Sequence, residues 1–231
     1  MSQLTNNERL KQIAKALGEL NDEVVYVGGA VIQLYSSDPA ALNPMTTYDV
    51  DCVVNVTTYQ GFQDFERRLF LKKFRNDISD GSPICRYLYN GEKVDFMPKV
   101  DTGIGESNRW YLNGLEHRQR YDLDEYVSIF IMPVTYYLAS KVDALHSRGG
   151  DDYRGAKDFE DIVFVLNNCV HLLDAVEVTS DKELSAYLKE EFSRVIRRAN
   201  ILEEIACSLQ EEGRESFVFE QMNAIASIKE K

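Results

Sequence analysis

Asp49-Val50-Asp51 sets two carboxylates two residues apart within YDVDCVVNV (48–56), a β-branched run that alternates at its start and reads as a strand. Side chains alternate faces along a strand, so Asp49 and Asp51 share one face. Like charges on one face repel, and burying them costs on the order of several kcal/mol unless a cation or hydrogen-bond donors compensate. Mg²⁺ (or Mn²⁺), a hard cation that takes oxygen ligands, resolves that conflict. A third acid, Asp95, interrupts the apolar run KVDFM. Three carboxylates on neighbouring strands can hold two metal ions together with the phosphates of a nucleotide. The same pattern also arises at strand ends where each acid merely faces water.

Gly28-Gly29 follows the apolar run EVVYV and precedes AVIQLY. A glycine pair there serves a tight strand-to-helix turn by its backbone freedom alone. It also lets a phosphate approach backbone N–H groups and a helix N-terminus. No GxxxxGK[ST] follows, and GxGxxG is absent, so neither the P-loop nor the dinucleotide fingerprint is present.

The elements that must position these residues follow in order. NERLKQIAKALGEL (7–20) has Leu10, Ile13, Ala14 and Leu17 at helical spacing. EVVYV (23–27) reads as a strand and GGAVIQLY as a turn opening into a helix. SSDPAALNPMTT (36–47) is a loop by composition. Thr57 or Thr58 caps YQGFQDFERRLFLKKF, where Phe62, Phe65, Leu69 and Phe70 share a face. ICRYLYNGEKVDFMP forms two strands around Asn90-Gly91, a strong hairpin signal, with Asp95 on the second strand. A glycine-containing loop and helical turn (99–114) and a strand pair across 117–132 come next. From Pro133 the chain turns helical: PVTYYLASKVDALHSR, the loop GGDDYRG, AKDFEDIVFVLNN and further helices. The expected layout is α+β, with a mixed β-sheet flanked by helices over 1–132 and a C-terminal helical region, packed on that core, over 133–231.

Composition narrows the function. A formal net charge of −12 argues against broad, nonspecific nucleic-acid binding, which needs a positive surface. The basic runs RRLFLKKFR (67–75), RQR (118–120) and RVIRR (194–198) are diluted by neighbouring acids. Cys52, Cys85, Cys169 and Cys207 form no CxxC pair, and His117, His146 and His171 are not spaced with them as zinc ligands; free thiols in a reducing compartment are expected. The longest apolar stretches, such as VSIFIMPV, are too short to cross a bilayer, and MSQLTNNERLKQ lacks the apolar core of a secretory signal. A cytoplasmic protein with no membrane partner is expected.

Helix, strand, Gly-Gly, helix, strand with DxD, and a third Asp on a later strand: this order resembles the nucleotidyltransferase fold of the DNA polymerase beta superfamily. Within it, KVDALHSRGGDDYRGAKDFEDIVFVL is similar to the Lys-loop-KDxxDI(V/L) segment of AbiEii-like nucleotidyltransferases, bacterial toxins of abortive-infection and toxin–antitoxin systems. The resemblance covers about residues 8 to 170. It implies that Gly28 and Gly29 form the nucleotide-phosphate turn, and that Asp49 and Asp51 are paired metal ligands. Asp95 is then the third ligand and a base for the attacking hydroxyl, and Lys141 reaches the triphosphate, with Asp158, Asp161 and Lys157 on the next helix. Many members carry Ser at the position of Gly29. The interval from Gly29 to Asp49 is also longer here, through SSDPAALNP, a rim loop beside the site.

The implied reaction is Mg²⁺-dependent transfer of an NMP group from an NTP to an acceptor hydroxyl of a protein, a tRNA end or a small molecule. The resemblance further implies a toxin with a cognate antitoxin. Other roles stay open for several of these residues. Lys141 also reads as a surface lysine near Asp143, and Asp158 as a favourable charge at a helix N-terminus. In GIGESNRWY, Arg109 is a candidate phosphate contact beside Asn108, while Trp110 either stacks on a base or plugs the core. At the level of function, the rivals are a non-catalytic nucleotide-binding module on the same fold and an interaction protein whose acids lie on exposed strand edges.

Overall fold

The computed structural model describes residues 4–37, 41, 47–105 and 108–228. Most of the loop 36–47, and Glu106 and Ser107 of GIGESNRWY, lie outside the described residues. The chain divides into two compact units: Met1–Val31 with Met45–Pro133, and Ile32–Pro44 with Val134–Lys231.

The first unit is built on a seven-stranded mixed sheet. Its strands are β1 (Val24–Val27), β2 (Asp49–Val54), β3 (Arg75–Asn76), β4 (Arg86–Tyr89), β5 (Glu92–Pro98), β6 (Gln119–Asp122) and β7 (Ser128–Ile131), in the order β3-β4-β5-β2-β1-β7-β6. The pair β1–β2 runs antiparallel, β2–β5 parallel and β1–β7 parallel. All four residues of β1 are buried, as expected for a strand with neighbours on both sides. The hairpin at Asn90-Gly91 forms as the sequence requires, with φ of 51° and 87° at the two turn positions.

Helix α1 (Asn6–Leu17) starts at a capping box, in which the Glu8 amide donates to Thr5 Oγ1 (3.3 Å) and the Thr5 amide donates to Glu8 Oε2 (2.8 Å). Leu10, Ile13, Ala14 and Leu17 are buried on one face. The helix ends at Leu17, earlier than the periodicity suggests, because Gly18 takes φ +58° and the chain tightens into a 3-10 turn over Gly18–Glu23. The turn after Gly28 is likewise a 3-10 helix, Gly29–Tyr35. Helix α2 (Tyr59–Leu71) is capped by Thr58, whose hydroxyl accepts from the Gly61 amide at 3.1 Å.

Helix α2 stops three residues before the amphipathic pattern does. Lys73 adopts φ +71° and the Phe74 amide donates back to Leu69 O at 3.1 Å. That reversal delivers Phe74 into an edge-to-face cluster on Phe96, 5.7 Å between centroids, alongside Phe65 and Tyr87. Phe62, Phe65 and Leu69 are buried, while Phe70 is half-buried against Tyr87. A short helix α3 (Tyr111–Glu116) precedes β6.

The second unit is helical: α4 (Val134–Arg148), α5 (Lys157–Asn168), α6 (Leu172–Val178), α7 (Lys182–Val195), α8 (Ile201–Ser208) and α9 (Glu215–Ala226). Tyr137, Leu138 and Leu145 of α4 face its core as expected. Asp181 caps α7 by accepting from the Leu184 amide at 3.0 Å. Among the described residues, no helix is long and apolar enough to cross a membrane.

Candidate functional site

Strand pairing brings the three acids together. β2 and β5 run parallel with Asp51 in register with Asp95, and Asp49 stands two residues earlier on β2, so all three carboxylates leave the same face of the sheet. The intervening residues show the alternation: Val50 and Cys52 are fully buried, while Asp49 and Asp51 are half-exposed. Asp95 is the most enclosed, at 7 % exposure.

Gly28 closes the other side of this face. Val27 at the end of β1 pairs with Asp51, and Gly28 then takes φ +69°. A Cβ at Gly28 would lie 1.9 Å from Asp51 Oδ2, so the carboxylate occupies the space that the missing side chain leaves. At Gly29 a Cβ would stand 2.5 Å from Thr47 Cγ2. Thr47 is itself fixed: its hydroxyl donates to Asp49 O (2.9 Å), its amide donates to Asn6 Oδ1 (3.1 Å), and Arg9 of α1 donates to its carbonyl. The glycine pair thus accommodates the start of β2 tightly against the end of β1.

The acids have a partner that the sequence reading missed. Arg86 on β4 donates from Nε to Asp95 Oδ1 and from Nη2 to Asp95 Oδ2, each at 2.7 Å, and Nη2 also reaches Asp49 Oδ2 at 2.7 Å. Such a forked, charge-assisted pair is roughly twice as strong as hydrogen bonds between neutral groups and fixes the geometry of both partners. The signal lay in the hairpin. Counting outward from a two-residue turn at Asn90-Gly91 sets Tyr89 opposite Glu92 and Arg86 opposite Asp95. Hydrogen bonds to Asp95, then the charges of Asp95, Asp49 and Asp51, hold Arg86 more firmly protonated than an ordinary guanidinium. Three carboxylates against one guanidinium leave a formal surplus of negative charge among these four side chains.

The same field acts on the nearby cysteines. Burial first, and then the charge of Asp95, pushes the Cys85 thiol up to about 12; burial, Asp51 and Asp95 push Cys52 well up. Both are therefore protonated at neutral pH and act as small apolar residues.

The other expected residues lie elsewhere. Lys141 and Asp158 belong to the helical unit, where Lys141 Nζ meets Asp158 Oδ1 at 3.3 Å and also pairs with Asp161. Arg148, two turns along α4, donates to both Asp158 oxygens at 2.7 and 3.1 Å. Lys141 is 9 % exposed and Asp158 5 %. Lys141 is therefore not a surface lysine: the faces of α4 and α5 that meet inside the unit enclose it. Burial pushes the Asp158 carboxyl up, but the Arg148 hydrogen bond and the charges of Lys141 and Arg148 outweigh it and hold the group below its usual value. Lys157 is exposed at the start of α5.

In the loop before α3, Trp110 is 1 % exposed, so it plugs the core and is not an open stacking surface. Arg109 is exposed and lies over the Trp110 ring, 5.0 Å from its centroid, and Asn108 accepts from the Trp110 amide at 3.0 Å. The basic runs are neutralised locally: Arg68 pairs with Glu23, Lys72 with Glu19, Arg120 with Asp122, Arg194 with Glu190 and Arg198 with Glu204.

No protein-family model matches the chain, and no curated protein matches it. Among solved structures, it is similar to an antigenic nucleotidyltransferase-like protein from Paracoccidioides brasiliensis, with 17% identity, a TM-score of 0.49, and coverage of 87% of this chain and 91% of the other. It is also similar to JHP933 from Helicobacter pylori, with 11% identity, a TM-score of 0.48, and coverage of 98% of this chain and 93% of the other. At these identities no site residue is carried across from either protein.

The donor set suits a divalent cation in kind. Hard carboxylate oxygens stand on one face of two adjacent strands, and Gly28 leaves Asp51 unhindered by a side chain. Among the described residues, however, no three His, Cys, Asp or Glu side chains are already drawn around one metal-sized point, and Arg86 holds Asp49 and Asp95 in hydrogen bonds.

Proposed function

We propose that the sheet unit carries a nucleotidyltransferase centre that moves an NMP group from an NTP to an acceptor hydroxyl. The observation that supports this most is the register: Asp51 beside Asp95 on parallel strands, Asp49 on the same face, and Gly28 yielding its side-chain space to Asp51. A stable fold has little use for three carboxylates so placed, because their mutual repulsion works against folding. The order of elements resembles that of the DNA polymerase beta superfamily, which gives the cluster its reading.

Asp49, Asp51 and Asp95 would hold Mg²⁺ or Mn²⁺. When bound, such an ion supplies charge neutralisation on the phosphate oxygens and acidifies the acceptor hydroxyl. The residues of the chain do the rest. The backbone at Gly28 and Gly29 admits the phosphates, and Arg109 assists at the triphosphate. The acceptor oxygen attacks the α-phosphorus, the bond from that phosphorus to the α,β-bridging oxygen breaks, and pyrophosphate leaves. Asp95 takes the hydroxyl proton. The acceptor is a protein side chain, an RNA end or a small molecule; a toxin role in the cytoplasm, restrained by a cognate antitoxin, follows from the AbiEii-like resemblance alone.

The test uses each α-labelled NTP with Mg²⁺ or Mn²⁺ and a bacterial extract, comparing wild type with Asp49→Ala/Asp51→Ala. Label that appears only with wild type is the expected result, and its sensitivity to protease or nuclease identifies the acceptor class. Equal labelling by the double variant refutes the assignment.

A second reading is favoured by the Arg86 contacts. With Asp49 and Asp95 held by a guanidinium, the unit can bind a nucleotide without turning it over. That reading predicts a rise in Tm with NTP but no transfer of label.

A further inference from the structure

Arg86 stands where the proposed reaction would place a cation. Its guanidinium engages both oxygens of Asp95 and one oxygen of Asp49, all at 2.7 Å. The side chain is 18 % exposed, so this clasp is partly shielded from competing water. A divalent ion ligated by Asp49 and Asp95 needs some of the same oxygens, since a carboxylate committed to a forked guanidinium presents its two best-directed lone pairs to the N–H groups.

We infer that Arg86 is the resident cation of the acidic cluster, and that divalent ions enter it in competition with this guanidinium. Resting on the reading of the cluster as a cation site, the proposal describes how that site is regulated. In the absence of metal Arg86 holds Asp49 and Asp95 together and neutralises part of their charge. Metal entry displaces Arg86 from at least one carboxylate oxygen. The released guanidinium, still tethered to β4 beside the acids, is then placed to meet a phosphate oxygen, a group it binds with the same forked geometry. Weak binding of the free ion and tighter binding of ion with NTP follow from the exchange, because the nucleotide supplies Arg86 with a new anionic partner.

The opposing possibility is that Arg86 only orients Asp95, in which case its removal weakens metal binding. The two differ in sign. Giving up one charge-assisted hydrogen bond corresponds to about a factor of ten in a binding constant. Mn²⁺ binding to the full chain, read from the electron paramagnetic resonance signal of the free ion, is therefore expected to be at least about tenfold tighter for Arg86→Gln than for wild type, with Arg86→Lys in between.

A second readout is thermal. Without metal the Arg86→Gln protein should melt lower than wild type, because two carboxylates lose their partner, and saturating Mn²⁺ should raise its Tm by more than it raises that of wild type. If Arg86→Gln does not give a folded circular-dichroism spectrum, Arg86→Lys decides by the same criterion. A constant for the variants equal to or weaker than that of wild type overturns the competition while leaving the cation site standing. No Mn²⁺ binding by wild type or any variant, with or without NTP, overturns the cation reading itself and this proposal with it.

Discussion

Two clusters of buried or half-buried charge, one in each unit, contrast sharply. In the helical unit, Lys141 and Arg148 face Asp158 and Asp161, two cations against two carboxylates, with each charge given a near partner. In the sheet unit, Asp49 and Asp95 share one guanidinium, with Asp51 beside them on the same face. Balanced ion pairs of the first kind can be explained by fold architecture alone, as a specific latch between α4 and α5. The second gathers three carboxylates on one face of two adjacent central strands, an arrangement that no packing need in the sheet calls for.

The comparison can be broken by removing charges on each side. Lys141→Met should destabilise the chain by about 3–5 kcal/mol, because it strands carboxylates in an enclosed site; a urea melt reads this directly. Asp51→Asn should do the reverse, costing about a hundredfold to a thousandfold in transfer while leaving Tm unchanged or slightly raised. If both variants lose stability equally, the two clusters are alike and the distinction fails.

Gly28→Ala sharpens the picture on the sheet side. It forces φ +69° on an alanine and puts a Cβ 1.9 Å from Asp51 Oδ2, so about 1–3 kcal/mol of stability and most of the transfer activity should go together. The helical cluster carries the pH signature. Asp158 has a depressed carboxyl, so its contribution to stability is in place above the ordinary aspartate range and is lost as pH falls through its lowered folded value. Wild type and Asp158→Asn should therefore differ most in Tm near neutrality and converge on acidification below about pH 4. The smallest effect is expected at the hairpin, where Gly91→Ala at φ 87° should cost about 1 kcal/mol and loosen the register that sets Arg86 against Asp95.

Much of this is legible in the sequence alone. The Asn-Gly turn announced the hairpin because only a few residue types tolerate positive φ at both positions. The alternation in YDVDCVV announced both the strand and the shared face of Asp49 and Asp51. What the sequence hid was tertiary. Periodicity carried α2 through Phe74, but packing against Phe96 rewarded an earlier stop, with Lys73 in the left-handed region. Lys141 read as a surface or phosphate-seeking lysine because the acids that enclose it arrive from another helix, seventeen and twenty positions later in the chain. Arg86 was readable in principle, by counting pairs back from Gly91, yet nothing in its immediate neighbours distinguishes it from the other arginines of an acidic chain.

The most direct measurement is a crystal structure with Mn²⁺ and a non-hydrolysable NTP analogue, using the anomalous signal of manganese to locate the ion. A manganese peak among the carboxylates of Asp49, Asp51 and Asp95, the triphosphate against the Gly28–Gly29 turn, and Arg86 turned from at least one acid is the predicted result. Bound nucleotide with Arg86 still clasping Asp49 and Asp95, and with manganese absent from that face of the sheet, would contradict it.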